Sequence, residues 1–147
     1  MIPLFNSAGL LPQGVFWASW REIVQRFGQT PHRRALLAGL EAALRALRAA
    51  GCRAVYVDGS FVTAKEIPND YDCCWDAVGV DPARLDPTFL NFKNKREAQK
   101  IKYGGEFFPA HMPEGLTGRV FIEFFQIDKE TGERKGIVAI DLRSWKP

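Results

Sequence analysis

In residues 30–51, "TPHRRALLAGLEAALRALRAAG", the apolar positions Leu36, Leu37, Leu40, Leu44 and Leu47 recur at intervals of three and four. That spacing aligns them on one face of a 3.6-residue helix. Thr30 offers an N-cap oxygen, Pro31 fits the first helical position, and Gly51 suits the stop. The stripe is too short for a sustained heptad seam, so it predicts a core-facing helix. "FWASWREIVQRF", residues 16–27, repeats the pattern with Phe16, Trp20, Ile23, Val24 and Phe27, and Gly28 lies at its exit. It predicts a second helix against the same core.

After Gly51 the period falls to two. "AVYVD", residues 54–58, is a short strand ended by Gly59 and Ser60. Past a turn at Pro68-Asn69, "DYDCCWDAV" alternates, with Asp70, Asp72, Cys74 and Asp76 on one side and Tyr71, Cys73 and Trp75 on the other. This predicts a strand with one acidic and one apolar face. "VDPARLDPTFLNF" reads as a loop and leads into a basic helical run, "KNKREAQKIK". "EFFPAH" and "RVFIEFFQID" read as strands, and Thr131-Gly132 turns the chain into "KGIVAIDL", predicting an antiparallel hairpin. The expected fold is α+β, with two N-terminal helices packed on a mixed or mostly antiparallel sheet of about four or five strands.

Composition narrows this further. With 147 residues, 46% of them hydrophobic, the chain can form one real core and is too short for two ordinary ones, so residues 1–147 are expected to be a single domain. Its three cysteines, with Cys73 and Cys74 adjacent, form no even framework and no metal-type spacing, which points to a reducing, cytoplasmic setting. The opening "MIPLFNSAGLLPQG" lacks a basic region before its apolar residues and is broken by Pro3, Pro12 and Gly14, so neither a signal peptide nor a membrane span is expected. Net charge is only +3, but Lys93, Lys95, Arg96, Lys100 and Lys102 crowd into ten positions. Such a run is either a solvated helix face or a surface for phosphate or RNA. No RNA-reading motif accompanies it. Neither His32 nor His111 has a partner at catalytic or metal-ligand spacing.

The chemistry concentrates in "VYVDGSFVTAKEIPNDYDCCWD", residues 55–76. Carboxylates at i and i+2 of a strand share a face roughly 6.6 Å apart, so Asp70 and Asp72 can converge on a cation. Mg²⁺ or Mn²⁺ suits these oxygen ligands and often shares them with substrate phosphates. Gly59 permits close approach of backbone to a phosphate, and Ser60 adds an amide and a hydroxyl. The plainer alternative is that Asp70 and Asp72 are polar turn and edge-strand residues.

These residues resemble the nucleotidyltransferase superfamily that includes DNA polymerase beta, kanamycin nucleotidyltransferase and the minimal nucleotidyltransferases of toxin–antitoxin pairs. The shared pattern is a hydrophobic residue, Gly, then Gly or Ser, a spacer, and Asp-hydrophobic-Asp-hydrophobic. Here Gly59-Ser60, nine residues and Asp70-Tyr71-Asp72-Cys73 follow it, with Asp58 standing at a usually hydrophobic position. The wider context, "DGSFVTAKEIPNDYD" with "FFQID" and "KGIVAIDL", also resembles a small bacterial nucleotidyltransferase-like family.

The resemblance implies that Gly59 and Ser60 hold the triphosphate of an NTP and that Asp70 and Asp72 bind divalent metal. It also implies a third carboxylate from a neighbouring strand. Glu123, mid-strand in the expected "VFIEFFQ", is chosen for it, with Asp76, Asp128 and Asp141 as other candidates. Lys65 is either a γ-phosphate contact or an exposed turn lysine. The implied activity is metal-dependent transfer of a nucleoside monophosphate to a hydroxyl on protein, RNA or a small molecule, within a toxin–antitoxin or phage-defence pair. The alternative is a catalytically inactive binding module, an antitoxin or partner subunit. The chain is short for the superfamily, so a protein partner or a second copy is expected to complete the site.

Overall fold

Thr30 caps the longest helix as its sequence requires. In the computed structural model, which describes residues 1–147, α2 spans Pro31–Ala49, and the Thr30 hydroxyl accepts the Arg33 backbone N–H at 3.1 Å. Its leucine stripe is buried. The helix before it is shorter than the apolar spacing suggested: α1 is Trp20–Phe27, and Gly14–Trp17 form a strand, β1. The local marker is a capping box, in which Ser19 accepts the Glu22 N–H and Glu22 reaches back to the Ser19 N–H. Upstream of that box, Val15 and Phe16 are free to pair with another strand, and tertiary pairing overrides their helical spacing.

The remaining elements are β2 (Ala54–Asp58), β3 (Tyr71–Trp75), α3 (Lys93–Tyr103), β4 (Gly105–Pro109), α4 (Phe121–Phe124) and β5 (Gly136–Asp141). The five strands form one mixed sheet in the order β1-β5-β2-β3-β4. β1 runs parallel to β5 and β3 to β4, whereas β2 is antiparallel to both β5 and β3. The fold is therefore α+β, and no helix is long and apolar enough to cross a membrane.

One segment departs from the expected strands. "RVFIEFFQID" does not pair with β5; Phe121–Phe124 form the short α4, and only isolated bridges link Pro113 to Val120 and Ile127 to Arg134. Aromatic residues there are spaced to meet one another on a helical turn. Phe121 stacks on Phe108 with ring centroids 4.1 Å apart, and Phe125 meets the same ring edge-on. With that segment helical, β5 inserts between β1 and β2.

The sheet has two covered faces. One presents Val55, Val57, Tyr71, Cys73, Trp75, Phe107, Val138 and Ile140 to α1 and α2, within the main cluster of 28 buried residues. The other presents Cys74 and Ile137 to Phe121 and Phe125, with Tyr56 and Phe108 packed alongside. Alternation puts Asp58, Asp72 and Glu106 on this second face, where the aromatic cover stops.

The basic run does form helix α3, with an unusual start: Asn94, Lys95 and Arg96 all have left-handed backbone, with φ of 51°, 57° and 62°. Such conformations cost non-glycine residues about 1 kcal/mol or more each and persist only where surrounding contacts hold them. The body of the helix is anchored by Gln99, which is buried, accepts the Phe107 N–H at 2.7 Å and donates to the carbonyls of Thr88 and Phe89. Gly39 lets α2 lie against this helix, since a Cβ there would sit 1.9 Å from the Tyr103 carbonyl oxygen.

Candidate acidic metal centre

Sheet register assembles the site. Asp58 at the end of β2 lies opposite Asp72 in β3, and Asp72 lies opposite Glu106 in β4. Asp70 directly precedes β3. Asp70, Asp72 and Glu106 can each direct one carboxylate oxygen into a common space, with all three oxygens within 4.8 Å of one another. Gly59 closes the same end of the sheet. Its φ is +85°, and a Cβ would lie 2.8 Å from the Asp72 Oδ2, so only glycine lets this turn rest against that carboxylate. Ser60 opens the 3-10 turn that follows. The structure thus brings together four residues singled out from sequence, Gly59, Ser60, Asp70 and Asp72.

The carboxylate that the structure places beside Asp70 and Asp72 is Glu106, not Glu123. Glu123 lies on α4, is 49% exposed and pairs with Arg134 at 3.2 Å. Its placement followed from reading that segment as a strand, and it fails with it. The other candidates are also elsewhere. Asp76 caps the Val78 N–H, Asp128 binds Thr131 in a turn, and Asp141 is bridged to Arg143. Asp141 pairs with Ala54, at the opposite end of β2 from Asp58. Glu106 had a local signal in "EFFPAH": it precedes two phenylalanines in a short strand, and period two puts it on the same side as Phe108.

Electrostatics distinguish the four acids. Burial raises the Asp72 carboxyl well above the ordinary carboxylate range, and Glu106, Asp58 and Asp70 add to the effect. Its Oδ1 is buried without a hydrogen-bond partner. Burial also pushes Glu106 up, but the hydrogen bond from Asp72 and the charges of Arg96 and Lys100 outweigh this and hold it below its usual value. Asp72 is therefore the member of the pair that keeps a proton, and Glu106 is the ionised one. Asp70 is raised by burial and by Glu106, against the pull of Lys100, Lys129 and Lys65.

Asp58 has its own cation. It is 5% exposed, and its Oδ1 accepts from the Lys135 Nζ at 2.8 Å. Burial raises it, and Lys135 opposes that rise. At the other end of the row, Arg96 Nε and Nη2 both reach Glu106 Oε1, at 2.8 and 2.7 Å, and Lys100 Nζ lies 3.6 Å from the same oxygen. Lys102 is paired with Asp86 at 2.7 Å. Of the basic run, only Lys93 and Lys95 remain as exposed lysines outside any ion pair. Lys65 is exposed on the turn before β3, and its carbonyl accepts from Arg33 Nη2. His32 contacts the Pro68 carbonyl, tying α2 to that turn.

The mixed α+β sheet thus ends in a row of carboxylates with a glycine turn pressed against the central one, and Asp70, Asp72 and Glu106 lie close enough together that they could hold a cation. Residues 3–141 match the family of unknown function DUF6932, and the chain belongs to it. No curated protein and no solved structure matches the chain.

Proposed function

We propose that this chain is a metal-dependent nucleotidyltransferase, moving a nucleoside monophosphate from an NTP to a hydroxyl. The observation that carries the reading is the convergence of Asp70, Asp72 and Glu106 beside the Gly59 turn. The resemblance in the Gly-Ser and Asp-x-Asp residues calls for a third carboxylate on an adjacent strand, and Glu106 stands there. The donor set fits Mg²⁺ or Mn²⁺, being all carboxylate oxygen, and the unpartnered Asp72 Oδ1 lacks the electrophile such an ion would be.

Asp70, Asp72 and Glu106 would hold the ion. Bound there, it supplies charge neutralisation at the phosphates and a lowered pKa for the attacking hydroxyl. The chain's own residues do the rest. Asp72 gives up its proton to become a ligand, at the cost of ionising in a buried place. Gly59, without a side chain, lets the backbone of the turn reach a phosphate, and Ser60 adds a hydroxyl donor. Lys65, Lys100 and Lys129, whose charges already bear on Asp70, oppose the negative charge of a triphosphate. The acceptor oxygen attacks the α-phosphorus, its proton departs, and the bond to pyrophosphate breaks.

One observation favours a second reading, the inactive binding module: Arg96 and Lys100 already neutralise Glu106 without metal. Incubation with each labelled NTP, Mn²⁺ and a cell lysate separates the two. The enzyme reading expects a labelled acceptor that disappears in Asp70→Asn and Asp72→Asn. If no species is labelled and Mn²⁺ with NTP leaves the wild-type melting temperature unmoved, the module is correct.

A further inference from the structure

We infer that Arg96 is an internal counter-ion that competes with a divalent cation for Glu106, so that the conformation described above is the metal-free state of the site and cation binding weakens the Arg96 contact. The inference rests on the reading of Asp70, Asp72 and Glu106 as metal ligands. Three observations independent of one another support it. Glu106 Oε1 already receives two donors from Arg96, at 2.8 and 2.7 Å, with Lys100 at 3.6 Å, so the charge of this carboxylate is already balanced by cations that an incoming ion has to compete with. At the same time Asp72, which faces Glu106 across the sheet, has its Oδ1 buried without a hydrogen-bond partner. One carboxylate is paired with two cations while the carboxyl facing it carries an orphaned oxygen, an imbalance that a cation shared between them would remove.

The third observation is the backbone that carries Arg96. Asn94, Lys95 and Arg96 are left-handed in succession, a conformation L-residues adopt only under constraint. The constraint is visible: the Arg96 guanidinium lies 5.6 Å from the Phe108 ring centre, Phe92 stacks on the same ring, and Glu106 holds the guanidinium from below. Release of Glu106 removes the strongest of these restraints and allows the turn to relax. The rest of α3 does not have to move, because Gln99 and Tyr103 are buried and Gln99 is bonded to β4 and to the Thr88–Phe89 backbone. The hinge therefore falls between Arg96 and Gln99. A helix start that swings on a fixed helix body gives the site two discrete arrangements.

The experiment uses Mn²⁺ as probe and the full chain. Mn²⁺ affinity is measured for wild type, Arg96→Gln, Arg96→Lys and Asp72→Asn, and amide hydrogen exchange is followed over residues 93–103 with and without Mn²⁺. Arg96→Gln should bind Mn²⁺ about tenfold more tightly than wild type, the size of one lost charge-assisted hydrogen-bonding group. Arg96→Lys, which keeps the charge, should stay closer to wild type. In the wild type, Mn²⁺ should speed exchange at residues 93–97 and leave 99–103 unchanged. Equal or weaker binding by Arg96→Gln, or exchange at 93–97 unaltered by bound Mn²⁺, overturns the latch while leaving the metal centre intact. If wild type binds no Mn²⁺, or Asp72→Asn binds it equally well, the reading of the acidic centre fails and the latch falls with it. The exchange measurement needs no substitution, so poor folding of a variant does not shield the proposal.

Discussion

Replacing Asp72 with asparagine should make the protein more stable, and the gain should grow with pH. Ligand oxygens of Asp70, Asp72 and Glu106 lie within 4.8 Å of one another. At an effective dielectric of about 20, two ionised carboxylates at that distance repel by about 3–4 kcal/mol. Arg96 and Lys100 offset part of this through Glu106, and Asp72 avoids the remainder by holding its proton. Asparagine keeps the shape, can donate to Glu106 as the protonated acid does, and never ionises. Once partial exposure and the two cations are allowed for, the expected gain near pH 8 is about 1–2 kcal/mol, as for other sites that trade stability for function. For a chain of this size that is a rise in Tm of roughly 2–8 °C.

The sign follows from linkage. Because folding raises the Asp72 carboxyl, the native state holds a proton the unfolded chain has released. Wild-type stability at this residue is therefore full below the ordinary carboxylate range and declines as pH climbs through the folded value. The variant has no such decline, so the two curves should meet in acid and separate in base. Urea denaturation from pH 4 to pH 9 measures the gap. A variant less stable than wild type at pH 8, or a gap that does not change with pH, would refute the account and make Asp72 a structural strand residue.

Three further outcomes test neighbouring features. Lys135→Met should destabilise by about 3–5 kcal/mol because it strands the buried Asp58 carboxylate, and adding Asp58→Leu should restore most of the loss by urea denaturation. Gly59→Ala should cost about 1–3 kcal/mol from its positive φ and should also weaken Mn²⁺ binding, since the new methyl meets Asp72 Oδ2. Glu123→Gln should change stability by less than about 0.5 kcal/mol and leave Mn²⁺ binding unchanged, whereas Glu106→Gln should abolish it; calorimetric titration reads both.

What could be read from the chain was what is local. Thr30, Pro31, the leucine stripe and Gly51 lie within one segment, and each specifies α2 without reference to any other part of the molecule. The Gly59-Ser60 turn and the two aspartates sit within residues 59–72, so their convergence follows from one strand, one turn and one return strand. β1 was legible only through its negative, the Ser19–Glu22 box that starts α1 after it, because Phe16 fits the helical stripe as well as it fits a strand. The segment around Glu123 is apolar on every side, so neither a period of two nor of 3.6 stands out. Its helical outcome depends on Phe108, in a strand whose position in the sheet is set by β3.

Asp58, the one residue that breaks the motif, is explained by a contact distant in the chain. An aspartate at position 58, buried in a row of carboxylates, reads from sequence as a flaw, since an uncompensated charge there would be costly. Its compensation lies 77 residues away, where Lys135 immediately precedes β5. β5 brings Lys135 to Asp58 because it lies beside β2, a pairing between segments far apart in the chain. Both the place of Glu123 and the partner of Asp58 are thus set by tertiary contacts that no local pattern carries. On α4, Glu123 turns to solvent and pairs with Arg134; with β5 beside β2, Lys135 meets Asp58; and Asp70, Asp72 and Glu106 remain as the acids close enough to share a cation.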